Sequence, residues 1–256
     1  MPLSKTVIII TGPTAVGKTA VSIQLAQLFN TSIISADSRQ CFKELNIGVA
    51  KPNAEELATV PHYFINSHSI HDKVDAVLFE TYALQAANEI FKNHDIAIMV
   101  GGTGMYIKAF CEGMDAIPEV DEAIQKEVRE QYQLKGLEWL QAAVEVEDPE
   151  YYNTGETQNP QRMMRALEVK RSSGKSIKSF QKKTIAKRDF NIIKIGRDAS
   201  KEDKETLMVK VVPKNFKKSP KEQTERIETE QTASYKKIHK DIKKAGWLKF
   251  VRHPHQ

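Results

Sequence analysis

A run of apolar residues, VIII after Thr6, leads directly into GPTAVGKTA, and this junction limits what the chain can fold into more than any other feature. An uninterrupted apolar run of this length reads as a strand buried on both faces. The loop after it matches G-x-x-x-x-G-K-[ST] in full, and a helix is expected from Lys18 to about Phe29. A glycine-rich loop between strand and helix turns its backbone N–H groups toward one point at a helix N-terminus, where they bind phosphate. Gly12, Pro13, Thr14, Ala15, Val16 and Gly17 form the expected cradle, with Gly12 and Gly17 permitting the tight turn. Lys18 adds a point charge for the phosphates, and Thr19 offers a hydroxyl ligand to Mg2+. A chance match on a structural turn is the competing reading, and the strand–loop–helix context disfavours it.

The same order recurs. TSIISADS reads as a second strand, DAVLFETYALQAANEIFKNH as a long helix, IAIMV (Ile96–Val100) as a third strand, and MYIKAF as a helix start after the GGTG turn. Strand, loop and helix in repetition predict an α/β fold: a P-loop parallel sheet with flanking helices and ligands at the carboxyl ends of the strands. From Pro118 the pattern turns polar and helical, through GLEWLQAAV and PQRMMRALEVKRSS to a stop at Gly174. FNIIKIG then returns to a strand. The expected organisation is a catalytic core over 1–117 and 185–200, a helical insertion over 118–184, and a basic, divergent segment over 201–256. Past Gly196 only VKVV has strand character, and 201–234 reads as a linker or poorly ordered arm.

Charge is uneven. Positions 197–256 hold 16 Lys and Arg against 9 Asp and Glu, whereas the whole chain carries a net charge of +5. A basic segment suits a polyanion such as nucleic acid, or is a solvated tail. The only two cysteines, Cys41 and Cys111, have no metal spacing and no disulfide framework, which suits a reducing cytoplasm. No apolar stretch approaches a membrane span, so no membrane partner is expected, and a monomer is the default expectation.

Two further clusters could carry chemistry. In SADSRQ, Asp37 ends a strand on the same sheet edge as the P-loop, where a carboxylate can hold a metal's water shell or take a proton. Arg39 and Gln40 beside it could read a substrate edge, while a turn or helix cap built from Asp and Ser is the structural alternative. In GGTGMY no Asp closes the strand as in a standard ATPase metal site; Thr103 stands between glycines, suited to a phosphate, although a plain turn reads equally well. His62, His68 and His71 lack partners at metal spacing. Trp139 reads as a core anchor of the insertion, and Arg162 and Arg165 share a helical face that contacts either phosphate or solvent.

Together GPTAVGKT, SADSRQ with NIGVAKP, VPHYFI, GGTGMYIKA, GMDAIP, NPQRMMRALEV, GKS and IIKIG resemble, in order, the tRNA dimethylallyltransferases, which prenylate adenosine next to the anticodon. The resemblance runs from residue 8 to about 196. It implies that the P-loop holds dimethylallyl diphosphate rather than ATP, and that the group passes to N6 of adenosine 37 in tRNA with Mg2+ as cofactor. It further implies that Asp37 accepts the N6 proton while Lys18, Thr19 and Thr103 stabilise the leaving diphosphate. It assigns tRNA contacts to Asp37, Ser38, Arg39, Gln40 and Thr103, to Gln161, Arg162, Met163, Met164 and Arg165, and to Gln125. After Gly196 the chain departs from the family, whose next helix carries a diphosphate-binding arginine; that place falls here on Lys240 or Asp241, and the end is expected to be divergent or truncated. A P-loop small-molecule kinase, prenylation of free adenine nucleotides, and a tRNA-binding remnant with little activity are the alternatives.

Overall fold

The computed structural model describes residues 5–13, 16–181, 185–197 and 207–212. It divides into two compact units, Met1–Met114 with Ala186–Gln256, and Asp115–Ile185.

The first unit is built on a six-stranded sheet: β1 (Thr6–Thr11), β2 (Ile33–Ser35), β3 (His62–Tyr63), β4 (Ile96–Val100), β5 (Asn191–Arg197) and β6 (Leu207–Val212). Their order is β3-β2-β4-β1-β5-β6. The first five are parallel, and β6 pairs antiparallel with β5. The helices are α1 (Lys18–Leu28), α2 (Ala54–Thr59), α3 (Ala76–Asn93) and α4 (Gly104–Glu112). Alternate residues of β1 face opposite sides. Val7 and Ile9 pack with Phe79, Ala83, Tyr106 and Phe110 of α3 and α4, whereas Ile8 and Ile10 pack with Val21, Ile23 and Leu25 of α1. Both faces are covered, which is why β1 reads as an unbroken apolar run. Ser35 and Ile10 both lie in register with Val100, so β1, β2 and β4 finish side by side.

Three features differ from the sequence expectations. The sheet has an antiparallel edge: Leu207–Val212, expected within a linker, is strand β6. The rest of 201–234 lies outside the described residues. β2 is only three residues long, because Asp37 turns the chain immediately past Ala36. β3 and the capping-box helix α2 were not anticipated; His62, read as a lone histidine, is a residue of the β3 edge strand.

The second unit contains only helices among its described residues: α5 (Glu122–Glu147), α6 (Pro149–Thr154), α7 (Pro160–Ser173) and α8 (Ile177–Phe180). Gly136, with φ 75°, breaks α5 into two pieces. Its core gathers Val128, Leu140, Val144, Tyr151, Leu167 and Ile177, and Trp139 packs half-buried against it, as expected of an anchor. Gly174 closes α7 in the left-handed conformation, the cap expected from the sequence.

Candidate active site

Three loops meet at the carboxyl ends of β1, β2 and β4. The first enters α1 through Gly12 (φ 148°) and Gly17 (φ 79°), conformations that side-chain-bearing residues rarely adopt. Gly17 caps α1 without a side-chain hydrogen bond, and no acidic residue occupies the first turn. The leading amides and the positive end of the helix are therefore available to an anion. Lys18 Nζ donates to Pro13 O at 2.6 Å, folding its side chain back over the loop. Partial burial lowers the Lys18 pKa, and the nearby Asp37 carboxylate opposes that shift. Val16 and Thr19 are half-buried, Pro13 is exposed, and Thr14 and Ala15 lie outside the described residues.

The second loop begins at Asp37, whose Oδ1 accepts from the backbone N–H of Arg39 at 2.9 Å and Gln40 at 3.3 Å. The structural alternative weighed for this residue, an Asp-built turn, is thus present. It occupies one carboxylate oxygen; Oδ2 accepts no hydrogen bond from the described residues. Arg39 is exposed. Gln40 is committed at both ends of its amide: Oε1 accepts from Ser35 Oγ at 2.8 Å, and Nε2 donates to Ala50 O at 2.6 Å. It ties β2 to the following loop, and one Nε2 hydrogen and one Oε1 lone pair remain for a substrate edge.

The third loop follows β4. Gly101 N donates to Ile10 O at 3.1 Å, and a Cβ at Gly101 would overlap the Ala36 carbonyl. Gly102 faces the carbonyl of Gly12 across about the contact distance of a methyl group. Thr103 N donates to Ala36 O at 3.2 Å, and Thr103 Oγ1 accepts from Ser38 N at 3.0 Å. Although Thr103 is the N-cap residue of α4, its hydroxyl makes no capping bond. With Ser38 filling an acceptor site, the hydroxyl proton remains for another partner. Sequence reasoning missed the need for glycine at 101; the GG doublet after a strand was the only trace of it.

The remaining expected residues belong to the helical unit. Asn159 caps α7 by accepting from Arg162 N. Arg162 pairs with Glu156, and Arg165 Nη1 lies 3.7 Å from Glu168. Glu168 is buried, which raises its pKa against the pull of Arg165 and Arg129. Gln161 is exposed. Met163 and Met164, expected in a strip facing tRNA, are buried at 0% and 6% exposure, so their side chains serve the core. Gln125 Nε2 donates to Val120 O at 3.0 Å.

Residues 40–212 match the model of the IPP transferase family. The chain belongs to that family. The match carries past Gly196, where the resemblance was expected to end, and takes in β6. The P-loop and Asp37 lie ahead of it, so their assignment rests on geometry and motif. Among curated relatives, a tRNA dimethylallyltransferase of Cytophaga hutchinsonii is 43% identical over 201 residues, covering 78% of this chain and 66% of the relative. One of Christiangramia forsetii is 46% identical over 200 residues, with the same coverage. The chain thus spans about two-thirds of the length of these relatives, just short of it at 66%. A solved eukaryotic dimethylallyltransferase acting on tRNA shares the fold, with a TM-score of 0.59, 24% identity, and coverage of 95% of this chain and 56% of that one. In this member of the IPP transferase family, no group of three or more His, Cys, Asp or Glu suited to a metal ion occurs among the described residues. None of its described helices is long and apolar enough to cross a membrane.

Proposed function

We propose that this chain transfers a dimethylallyl group from dimethylallyl diphosphate to N6 of adenosine 37 in tRNA, releasing diphosphate. The observation that carries this reading is the convergence of the P-loop, Asp37 and Thr103, with Ser38 N–H directed onto Thr103 Oγ1. The N6 lone pair attacks the allylic carbon, and the C–O bond electrons leave with the diphosphate. The N6 proton passes to Asp37 Oδ2, the oxygen not used in the turn. Lys18 exchanges Pro13 O for a diphosphate oxygen, and Thr103 donates its free proton to the same leaving group. Fixed donors placed where negative charge grows favour the transition state over the ground state. Thr19 would hold Mg2+ together with the diphosphate, both offering the hard oxygen ligands it prefers, so a cage of carboxylates would not be required. When bound there, Mg2+ would neutralise charge on the leaving diphosphate.

The names of the relatives support the substrates. The exposed Arg39 of the core unit, and Gln161, Arg162 and Arg165 of the helical unit, are the groups we assign to tRNA. Two free, buried cysteines fit a reducing cytoplasm, and we take the working form to be a monomer. The test is transfer of labelled dimethylallyl from its diphosphate to unmodified tRNA by this 256-residue chain with Mg2+. Label in tRNA, absent when free adenosine monophosphate replaces it, is the expected result. Bound tRNA without label would leave the binding remnant instead, and ATP-dependent phosphorylation of a small acceptor would establish the kinase.

A further inference from the structure

The chain leaves the first unit after Met114 and re-enters at Ala186, and both crossings are laced together on that unit's own residues. Ala186 N donates to Glu112 O at 2.7 Å. Gly113, with φ 81°, lies so near that a Cβ there would sit 2.8 Å from the Ala186 Cβ. Glu80 of α3 and Arg188 form an ion pair at 2.7 Å, with side chains only 17% and 12% exposed. The pair does more than neutralise charge. Arg188 also donates to Phe110 O at 2.8 Å and Ala109 O at 2.9 Å, carbonyls in the last turn of α4, while Glu80 Oε2 accepts from Met114 N at 3.1 Å. One fork-shaped cation and one carboxylate thus hold the C-terminal end of α4, the outgoing chain and the returning chain at one point.

Thr103 sits at the other end of α4. The helix has nine residues, so about 13 Å of hydrogen-bonded backbone separates clamp from hydroxyl. Along it Tyr106 stacks on Phe79 with centroids 4.3 Å apart, and Phe110 stacks on Phe190 at 5.5 Å. We propose that Glu80 and Arg188 are positioning residues for Thr103: by pinning the far end of α4 beside both crossings, they keep load on those crossings from sliding the helix and moving the hydroxyl off Ser38. The kinetic half of this inference rests on the prenyl-transfer reading; the structural half does not.

The test follows the Ser38 amide, whose hydrogen bond to Thr103 Oγ1 makes its exchange rate a direct report of hydroxyl position. Full-length wild type, Arg188→Lys and Glu80→Gln are compared by site-resolved hydrogen exchange, with Ile8 and Ile98 of the central strands as internal references. Lysine keeps the charge of Arg188 but not the planar fork. Ser38 exchange is expected to accelerate on the order of tenfold while Ile8 and Ile98 keep their wild-type rates. In the transfer assay kcat falls on the order of tenfold with KM for dimethylallyl diphosphate unchanged, the signature of a misplaced group rather than lost binding. Unchanged Ser38 exchange, or acceleration only in step with Ile8 and Ile98, overturns the proposal. The paired variant Glu80→Met with Arg188→Met fills the space without a stranded charge and keeps the unit folded. It too must free Ser38, and wild-type exchange there counts against the clamp. Wild type that transfers nothing while its variants still free Ser38 removes the prenyl reading and leaves the clamp standing.

Discussion

The loop cluster at the ends of β1, β2 and β4 and the polar face of α7 are built in opposite ways. The cluster is held by backbone: Thr103 N donates to Ala36 O, Gly101 N donates to Ile10 O, and Asp37 is fixed by two amides. The α7 face presents long side chains, and Arg162 and Arg165 on it already have carboxylate partners in Glu156 and Glu168. Bond-breaking chemistry needs groups fixed within a fraction of an ångström, and short backbone-tied elements supply that. Recognition of a large, deformable polyanion tolerates side chains that exchange one partner for another. Substitutions in the two regions should therefore differ in kind, with loss of rate in one and loss of affinity in the other.

The largest effect is expected from Asp37→Asn. The amide oxygen still accepts from Arg39 and Gln40, so the turn and thermal stability are retained, while the proposed proton acceptor is gone. kcat should fall on the order of 10²–10⁴-fold with tRNA affinity within about twofold. Retained turnover would mean that Asp37 is only a turn residue.

Next comes Gly101→Ala, which forces a methyl group into the Ala36 carbonyl. Overpacking against backbone costs about 1–3 kcal/mol and pulls the loops apart. Both a lower Tm and a weaker grip on inorganic diphosphate are expected; calorimetry showing wild-type diphosphate affinity would break the claim that the cluster is one rigid object.

The smallest is Arg162→Ala. Its exposed pair with Glu156 is worth at most about 1 kcal/mol, so stability should barely change. tRNA affinity should weaken severalfold, and the slope of log affinity against log salt should shrink by about 1. An unchanged slope would take Arg162 off the interface.

The sequence made legible whatever had a period long enough to count. β1 and β4 are continuous apolar runs, α3 repeats its apolar residues over 18 positions, and α7 carries its own stop in Gly174. β3 and α2, of two and six residues, are too short for any periodicity, and β6 carries Lys210 in the middle of its apolar run. At the site, Lys18 is singled out by its glycine-rich motif, and Asp37 and Thr103 by residue types that follow strand ends. A contiguous motif reads as a contiguous surface, whereas the side chains of Met163 and Met164 lie in the core. Helical spacing turns 163, 164 and 167 inward and leaves 161, 162 and 165 out. The contacts of Gly101 and the double commitment of Gln40 are tertiary events between positions 5 to 91 residues apart, and no local pattern encodes them.

The ends of the sheet bear on how this protein behaves at high concentration. A parallel sheet of apolar strands is an open template wherever it stops, since an edge strand offers unpaired amides to any extended chain. Here one end tapers to two residues in β3, too short to seed pairing with a neighbour. At the other, β6 runs against β5 in six registered pairs and covers the apolar sequence NIIKIGR. Among the described residues, the short antiparallel strand thus keeps the apolar edge of β5 from serving as that template.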